Sequence, residues 1–343
     1  MTGAPKAKPK ARATPEIGVV VMAYGTPDGP EGVEEFYTDV RRGQPPSAEQ
    51  LADLRRRYDA IGGVSPLAER TRAQVAGIQR ALDAIKPGGF RAVLGTKHSA
   101  PRIEDAVAEL GAAGVTAAVG LVLAPHYSAL SVGEYGERLA AKGAEAGLRT
   151  TMVESWQEMP ALVELLARRV LDAMEALGRR AAARPSRAGR LEVVFTAHSL
   201  PSRILATGDP YPRQLEETAI AVAALAGITR FRIAWQSAGR TPEPWLGPDL
   251  LEVLRGLPGE GVDRVVVCPA GFTSDHLEVL YDIDVEARQL AEEIWLDLER
   301  TASLNDDPLL CEGLAAVVSG ASARLAGRRR RSAGVASGGG GSA

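Results

Sequence analysis

The sequence predicts an α/β protein of two doubly wound lobes, each built on a parallel sheet. Three observations carry this reading. Short Val-rich apolar runs recur along the 343 residues, and each is followed by a longer helical pattern, as in sheets buried on both faces. The length suits two units of about 150 residues each. Finally, V-V-V-M-A-Y-G-T-P at 19–27 echoes E-V-V-F-T-A-H-S-L-P at 192–201. Each leads a strand into Ala, one polar residue and a turn closed by Pro.

In chain order, the strand runs are 17–23, 91–95, 117–124, 150–153, 191–197, 230–234 and 264–270. Helical patterns cover 32–40, 47–58, 65–86, 102–112, 132–146, 158–182, 212–226 and 284–300. A polar stretch rich in Arg and Ala follows helix 158–182 and marks a lobe boundary. The organisation expected is a disordered basic extension at 1–16 and an N-terminal lobe at 17–182. A C-terminal lobe at 183–326 and a disordered basic and Gly-rich tail at 327–343 follow.

Composition removes several function classes. Net charge is −3, so the chain has no strong field for nucleic acid or an anionic membrane. Cys268 and Cys311 are the only cysteines and form no C-x-x-C pair, which excludes a disulfide framework and a four-thiolate site. That usage suits a reducing cytoplasm. No apolar stretch follows the basic N-terminus, and no window would span a bilayer. A cytoplasmic protein without stable membrane insertion is expected, acting as a monomer.

Open α/β sheets bind ligands at the carboxyl ends of their strands. The residues delivered there are Tyr24, then Lys97 and His98, then His126 and Tyr127. His198 and Ser199 follow, then Trp235, Gln236 and Ser237, and the last strand leads to His276 and Glu278. All four histidines thus fall where titrating or ligating groups would meet. No G-x-G-x-x-G, Walker or G-x-S-x-G pattern accompanies them, which disfavours dehydrogenase, NTPase and serine hydrolase chemistry.

Within S-D-H-L-E-V-L-Y-D-I-D-V-E at 274–286, Glu278, Asp282 and Glu286 are spaced four and four apart. On a helix they share a face, and their repulsion would be relieved by Mg²⁺, Mn²⁺ or incoming Fe²⁺. His198 stands between Ala197 and a tight S-L-P turn, where a neutral imidazole can take a proton or bind metal. Arg41 and Arg42 close a short helix, while Arg55, Arg56 and Arg57 precede Tyr58. Ser65 and Pro66 then open a helix as N-cap and N1. Forked guanidiniums and a helix N-terminus both suit carboxylates or phosphates.

Eight segments together resemble one family: M-A-Y-G-T-P (22–27), Y-T-D-V-R-R-G (37–43), R-Y-D-A-I-G-G-V-S-P-L (57–67), L-A-P-H-Y-S (123–128), A-H-S-L-P (197–201), G-D-P-Y-P (208–212), W-Q-S-A-G-R-T-P-E-P-W-L-G-P (235–248) and G-F-T-S-D-H-L-E-V-L-Y-D-I-D (271–284). They resemble the ferrochelatases, and most nearly the soluble coproporphyrin ferrochelatases. The likeness implies two Rossmann-like lobes with a cleft between them, and insertion of Fe²⁺, as substrate, into coproporphyrin III. It implies that His198 and Glu278 bind the incoming metal and handle the pyrrole protons. Tyr24, Arg41, Arg57, Tyr58, Ser65 and Tyr135 would hold the porphyrin, with Tyr24 a potential axial ligand of the product iron. Asp282 and Glu286 would extend the metal path. Two cysteines exclude the four-Cys [2Fe–2S] cluster that some relatives carry. Arg102 departs from the aromatic or apolar residue common in close relatives. Alternatives are a protoporphyrin IX ferrochelatase, a chelatase for another metal or tetrapyrrole, and a non-catalytic haem or porphyrin carrier.

Overall fold

The computed structural model describes residues 15–182 and 189–336, with side chains to residue 325. Residues 1–14, 183–188 and 337–343, which hold most of the two expected tails, lie outside the described residues. Thus most of the expected extension at 1–16 falls outside them. In the first half the elements run β1 (Ile17–Ala23), α1 (Val33–Val40), α2 (Ala48–Ala60), α3 (Leu67–Ile85), β2 (Phe90–Thr96), α4 (Ile103–Ala112), β3 (Ala117–Val122), α5 (Glu134–Glu145) and β4 (Arg149–Val153). The second half follows with α6 (Pro160–Ala182), β5 (Arg190–His198), α7 (Tyr211–Ala226), β6 (Phe231–Gln236), α8 (Leu250–Gly256), β7 (Val262–Cys268), α9 (Leu277–Leu280), a π-helical turn (Asp282–Ala287), α10 (Arg288–Glu293), β8 (Asp297–Arg300) and α11 (Pro308–Ala336).

Two four-stranded parallel sheets result, ordered β2-β1-β3-β4 and β6-β5-β7-β8. The orders superimpose when β1 is read as β5, so the echo between 19–27 and 192–201 is one topology used twice. Parallel strands need crossover helices on both faces, and the central strands show the consequence. Val19, Val20, Val21 and Met22 in β1 and Val193, Val194 and Phe195 in β5 are fully buried. In each sheet the strand order reverses at the central pair, β1/β3 and β5/β7. Such switch points open crevices above the carboxyl ends.

Of the two longest helices, α11 crosses from the second half to the first. α6 packs on α7, β7 and β8, while α11 packs on α3, β3 and β4. Cys311 on α11 sits against Gly77 of α3, where a Cβ would lie 2.5 Å from its Sγ. Both cysteines are free and buried, as expected for small apolar residues. Burial pushes the Cys268 thiol up to about 12.

The elements depart from the expected ones in the C-terminal half. The helix expected over 284–300 stops at Glu293; Trp295 takes φ 59° and the chain enters β8. D-L-E-R has one apolar residue, so no alternation announced that edge strand. α8 and α11 were not anticipated. α11 continues to Ala336, past the position where a disordered tail was expected to begin. Ala and Arg favour helix, and extending an existing helix avoids a new nucleus.

Candidate active site

The carboxyl ends of both sheets open into one cavity of about 620 Å³. Its lining combines Tyr24, Tyr58, Ser65, His98, His126 and Tyr135 from the first half with His198, Trp245, His276 and Glu278 from the second. The register explains the meeting. Ala23 pairs with Thr96, so Tyr24 and Lys97 leave neighbouring strands together. His198 ends β5 opposite Gln236 of β6.

His198 and Glu278 face each other, with Nε2 3.4 Å from Oε1. Both side chains remain about a third exposed to the cavity, 34% and 36%. The His198 ring is anchored on its other side, where Nδ1 meets the Ser199 carbonyl. Tyr211 Oη donates to the His198 carbonyl at 3.0 Å. Glu278 lies in the first turn of α9, where a helix N-terminus favours an anion. Gln236 Nε2 donates to its carbonyl at 3.0 Å, while Thr196 Oγ1 donates to Gln236 Oε1 at 2.8 Å. His276 Nε2 lies 3.5 Å from the second Glu278 oxygen.

Burial alone would push this imidazole down, but the Glu278 carboxylate raises it above its ordinary value. Burial would also raise Glu278; His198 and His276 instead hold it well below the usual carboxylate range. The pair is therefore an ion pair that carries one exchangeable proton at the cavity wall.

On the first half's side, Tyr24 is 44% exposed into the cavity and packs against His98, with ring centroids 4.6 Å apart and ring planes tilted by 59°. Burial keeps its phenol protonated, and nearby Glu278 adds to this. Tyr58 Oη lies 3.4 Å from Thr26 Oγ1, and burial pushes its phenol up to about 12. Ser65 Oγ accepts from Leu67 N at 3.3 Å. The cap of α3 is Pro66, one residue later than expected.

Four expected residues are not among those lining the cavity. Arg41 turns to the Gln44 carbonyl at 3.2 Å and lies over the Tyr37 ring; its neighbour Arg42 lines the cavity instead. Arg57 is held by Asp53 at 3.2 Å and stacks over Tyr281 at 4.9 Å. Its guanidinium is 3.6 Å from Asp282. Asp282 accepts from Ser237 Oγ, and Glu286 stands within the π-helical turn. That turn changes the helical phase, so the four-and-four row does not stack as an α-helix would place it. Burial, opposed by Ser237 and Arg57 but reinforced by Glu278, pushes the Asp282 carboxyl up to about 7. Among the described residues, no three His, Cys, Asp or Glu side chains converge as a ready-made ion cage.

His126 has a structural place. It is 1% exposed, with Nε2 3.0 Å from Thr218 Oγ1 on α7. Burial pushes it down to about 3, so the ring is neutral. Tyr127 N donates to Gln214 Oε1 at 2.6 Å, and Ser128 Oγ donates to Asp209 at 2.9 Å. These bonds tie the loop after β3 to α7 and fix the two walls relative to each other. Sequence reasoning passed over Trp245, Tyr211, Arg203 and Glu134, which also line the cavity. The aromatics within G-D-P-Y-P and the Trp-containing stretch were the available signal for the first two.

The ferrochelatase family model matches residues 16–322, nearly the whole described chain. The chain belongs to the ferrochelatase family. Among curated relatives, the coproporphyrin III ferrochelatase of Anoxybacillus flavithermus is 44% identical over 305 residues, covering 88% of this chain and 95% of that one. The coproporphyrin III ferrochelatase of Geobacillus thermodenitrificans is also 44% identical, with the same coverage. The ferrochelatase of Thermus thermophilus is 45% identical, covering 85% and 95%. Among solved structures, the sirohydrochlorin chelatase SirB of Bacillus subtilis subspecies spizizenii in complex with cobalt aligns with a TM-score of 0.53 at 12% identity, covering 91% and 97%. That likeness shows a shared fold. Like the sequence reading, this ferrochelatase-family chain is an α/β protein with two parallel sheets, and among the described residues no helix is long and apolar enough to cross a membrane.

Proposed function

We propose that the chain is a coproporphyrin ferrochelatase, inserting Fe²⁺ into coproporphyrin III to give iron coproporphyrin. The observation that carries this is the His198–Glu278 pair, 3.4 Å apart, on the wall of a cavity of about 620 Å³ that Tyr24 enters from the other sheet. The names of the relatives at 41–44% identity support the same substrate.

Insertion requires Fe²⁺ to shed water while the macrocycle loses two N–H protons. His198 Nε2 and Glu278 Oε1 offer one nitrogen and one oxygen ligand, which hold Fe²⁺ without the grip of thiolates. The incoming ion displaces the proton the pair shares to solvent. As the ion passes to the macrocycle, its two pyrrole protons move to the vacated His198 and Glu278, and His276 at the second Glu278 oxygen is the next acceptor. Tyr24 offers its phenolic oxygen to the iron of the product. Tyr58, Ser65, Tyr135 and Arg42 contact the macrocycle and its carboxylates, with Arg41 and Arg57 supporting them from behind. Asp282 and Glu286 supply negative potential along the metal's approach. One chain encloses the whole cavity, so a monomer suffices.

The test is anaerobic. Purified protein receives Fe²⁺ with coproporphyrin III or protoporphyrin IX, and the free-base absorption is followed. Rapid loss with coproporphyrin III supports the reading; preference for protoporphyrin IX moves it to that substrate. Binding of both porphyrins with no metal entry would make the protein a carrier and sink the enzymatic assignment.

A further inference from the structure

Behind Tyr24 lies a chain of polar contacts that the proposed reaction does not use. Arg102, at the start of α4, donates through Nη2 to Asp39 Oδ1 at 2.9 Å and through Nη1 to the Lys97 carbonyl at 3.2 Å. Asp39, near the end of α1, offers its other oxygen to His98 Nδ1 at 2.7 Å. The His98 backbone N–H donates to the Tyr24 carbonyl at 3.0 Å. Its ring then packs at a tilt against Tyr24, while Phe36 meets both rings edge-on, at 6.3 and 6.4 Å. One carboxylate thus joins a surface guanidinium to the imidazole that supports the Tyr24 ring.

The chemistry of each link is directional. Arg102 donates to one oxygen of Asp39 and His98 Nδ1 meets the other. A carboxylate paired with a guanidinium accepts at both oxygens, so Nδ1 carries the hydrogen and the ring plane is set. Tyr24 is half open to the cavity, and a side chain with open space can leave one staggered well for another. The His98 ring packed against it restrains it.

We propose that Asp39 and Arg102 are positioning residues, which through His98 hold Tyr24 in the orientation it presents to the porphyrin and its iron. The inference rests on the proposed ferrochelatase activity for its kinetic readout, but its spectroscopic readout stands apart from that activity.

The experiment is a double-mutant cycle. Iron insertion into coproporphyrin III is measured for wild type, Asp39→Asn, Arg102→Met and Tyr24→Ala, and for each of the first two combined with Tyr24→Ala. Asp39→Asn is expected to lower kcat about tenfold with KM within about twofold, the scale of a lost charge-assisted hydrogen bond. Arg102→Met lowers it about threefold, since that pair is partly exposed. In the Tyr24→Ala background neither change costs more than about twofold, because the group they act through is gone. In parallel, ferric coproporphyrin is added directly, and the tyrosinate-to-iron charge-transfer band weakens in both single variants. Arg102, 39% exposed, provides the variant that keeps the fold if Asp39→Asn does not. Equal losses of kcat in both backgrounds, or an unchanged band, overturn the proposal. A wild type that inserts no iron sinks the assigned reaction, while the band still decides the positioning role.

Discussion

His198 Nε2 stands 3.4 Å from Glu278 Oε1, and the two come from strand ends on one sheet separated by 80 positions in the chain. β5 and β7 pair in register, with Phe195 opposite Cys268. The turn after β7 then brings α9 back over the end of β5.

In the proposed reaction, removing the imidazole would remove both a ligand and a proton acceptor. His198→Ala is expected to lower iron insertion by about 10²–10⁴-fold, the range for loss of general acid–base function. Porphyrin binding, followed by quenching of protein fluorescence, should persist. Activity near wild type in this variant would remove His198 from the mechanism.

The ion pair sets a pH dependence. Because His198 is raised above its ordinary value, Fe²⁺ competes with a proton there, and the insertion rate climbs with pH through an acid limb above the usual imidazole range. Glu278→Gln removes the main charge that raises it, leaving burial opposed only by the Ser199 carbonyl and Asp282, so the limb moves to lower pH. For stability the signs separate. The raised His198 contributes fully below its unfolded value, and this is lost as pH climbs through the folded one. The depressed Glu278 contributes above the ordinary carboxylate range, and this is lost in acid. Wild type should therefore exceed Glu278→Gln in Tm most between about pH 4.5 and 6.5. An acid limb that stays in place in Glu278→Gln would show that the two groups do not share a proton.

Adjacent arginines should differ. Arg42 lines the cavity with Glu134 at 3.5 Å, whereas Arg41 is spent on the Gln44 carbonyl. Arg42→Ala is expected to raise KM for coproporphyrin up to about fivefold, the scale of an exposed charge contact. Arg41→Ala should change it less than about twofold. Steady-state kinetics on the two variants decide the matter, and the reverse order would show that Arg41 turns inward when porphyrin binds.

Gly271 is required by close approach. A Cβ there would sit 2.4 Å from the Ala197 Cβ and 2.8 Å from its Cα, directly beside His198. Gly271→Ala must push the end of β5 aside, at about 1–3 kcal/mol in stability, with a larger loss in kcat than in porphyrin affinity. Thermal melting and kinetics measure both; a fully active and equally stable variant would contradict the packing.

Much of this was legible in the order of residues. Short apolar runs with helical patterns between them, such as I-G-V-V-V-M-A, read as buried parallel strands, and seven of the eight strands were read this way. The eighth, Asp297–Arg300, did not, because an edge strand needs little apolar surface. Tyr24, Tyr58, Ser65, Tyr135, His198 and Glu278 were named from strand ends, spacing and family likeness, and all six line the one cavity. Arg57 shows where such reading stops. Its type suited a carboxylate ligand, but Asp53, Asp282 and the Tyr281 ring already hold it.

The sequence by itself determined the α/β class, the parallel sheets and which residue types stand at the strand ends, because hydrophobic period and turn chemistry are local. Only the tertiary structure decided which of those groups meet. Whether Arg41 or Arg42 faces the cavity turns on how the chain leaves α1, with Arg42 at φ 57°. Whether Glu278, Asp282 and Glu286 form a row turns on a π-helical turn. Whether Arg102 and His98 are joined turns on one carboxylate, Asp39, 63 positions from Arg102. Side-chain direction and long-range contact depend on packing between distant segments, and no local pattern encodes that.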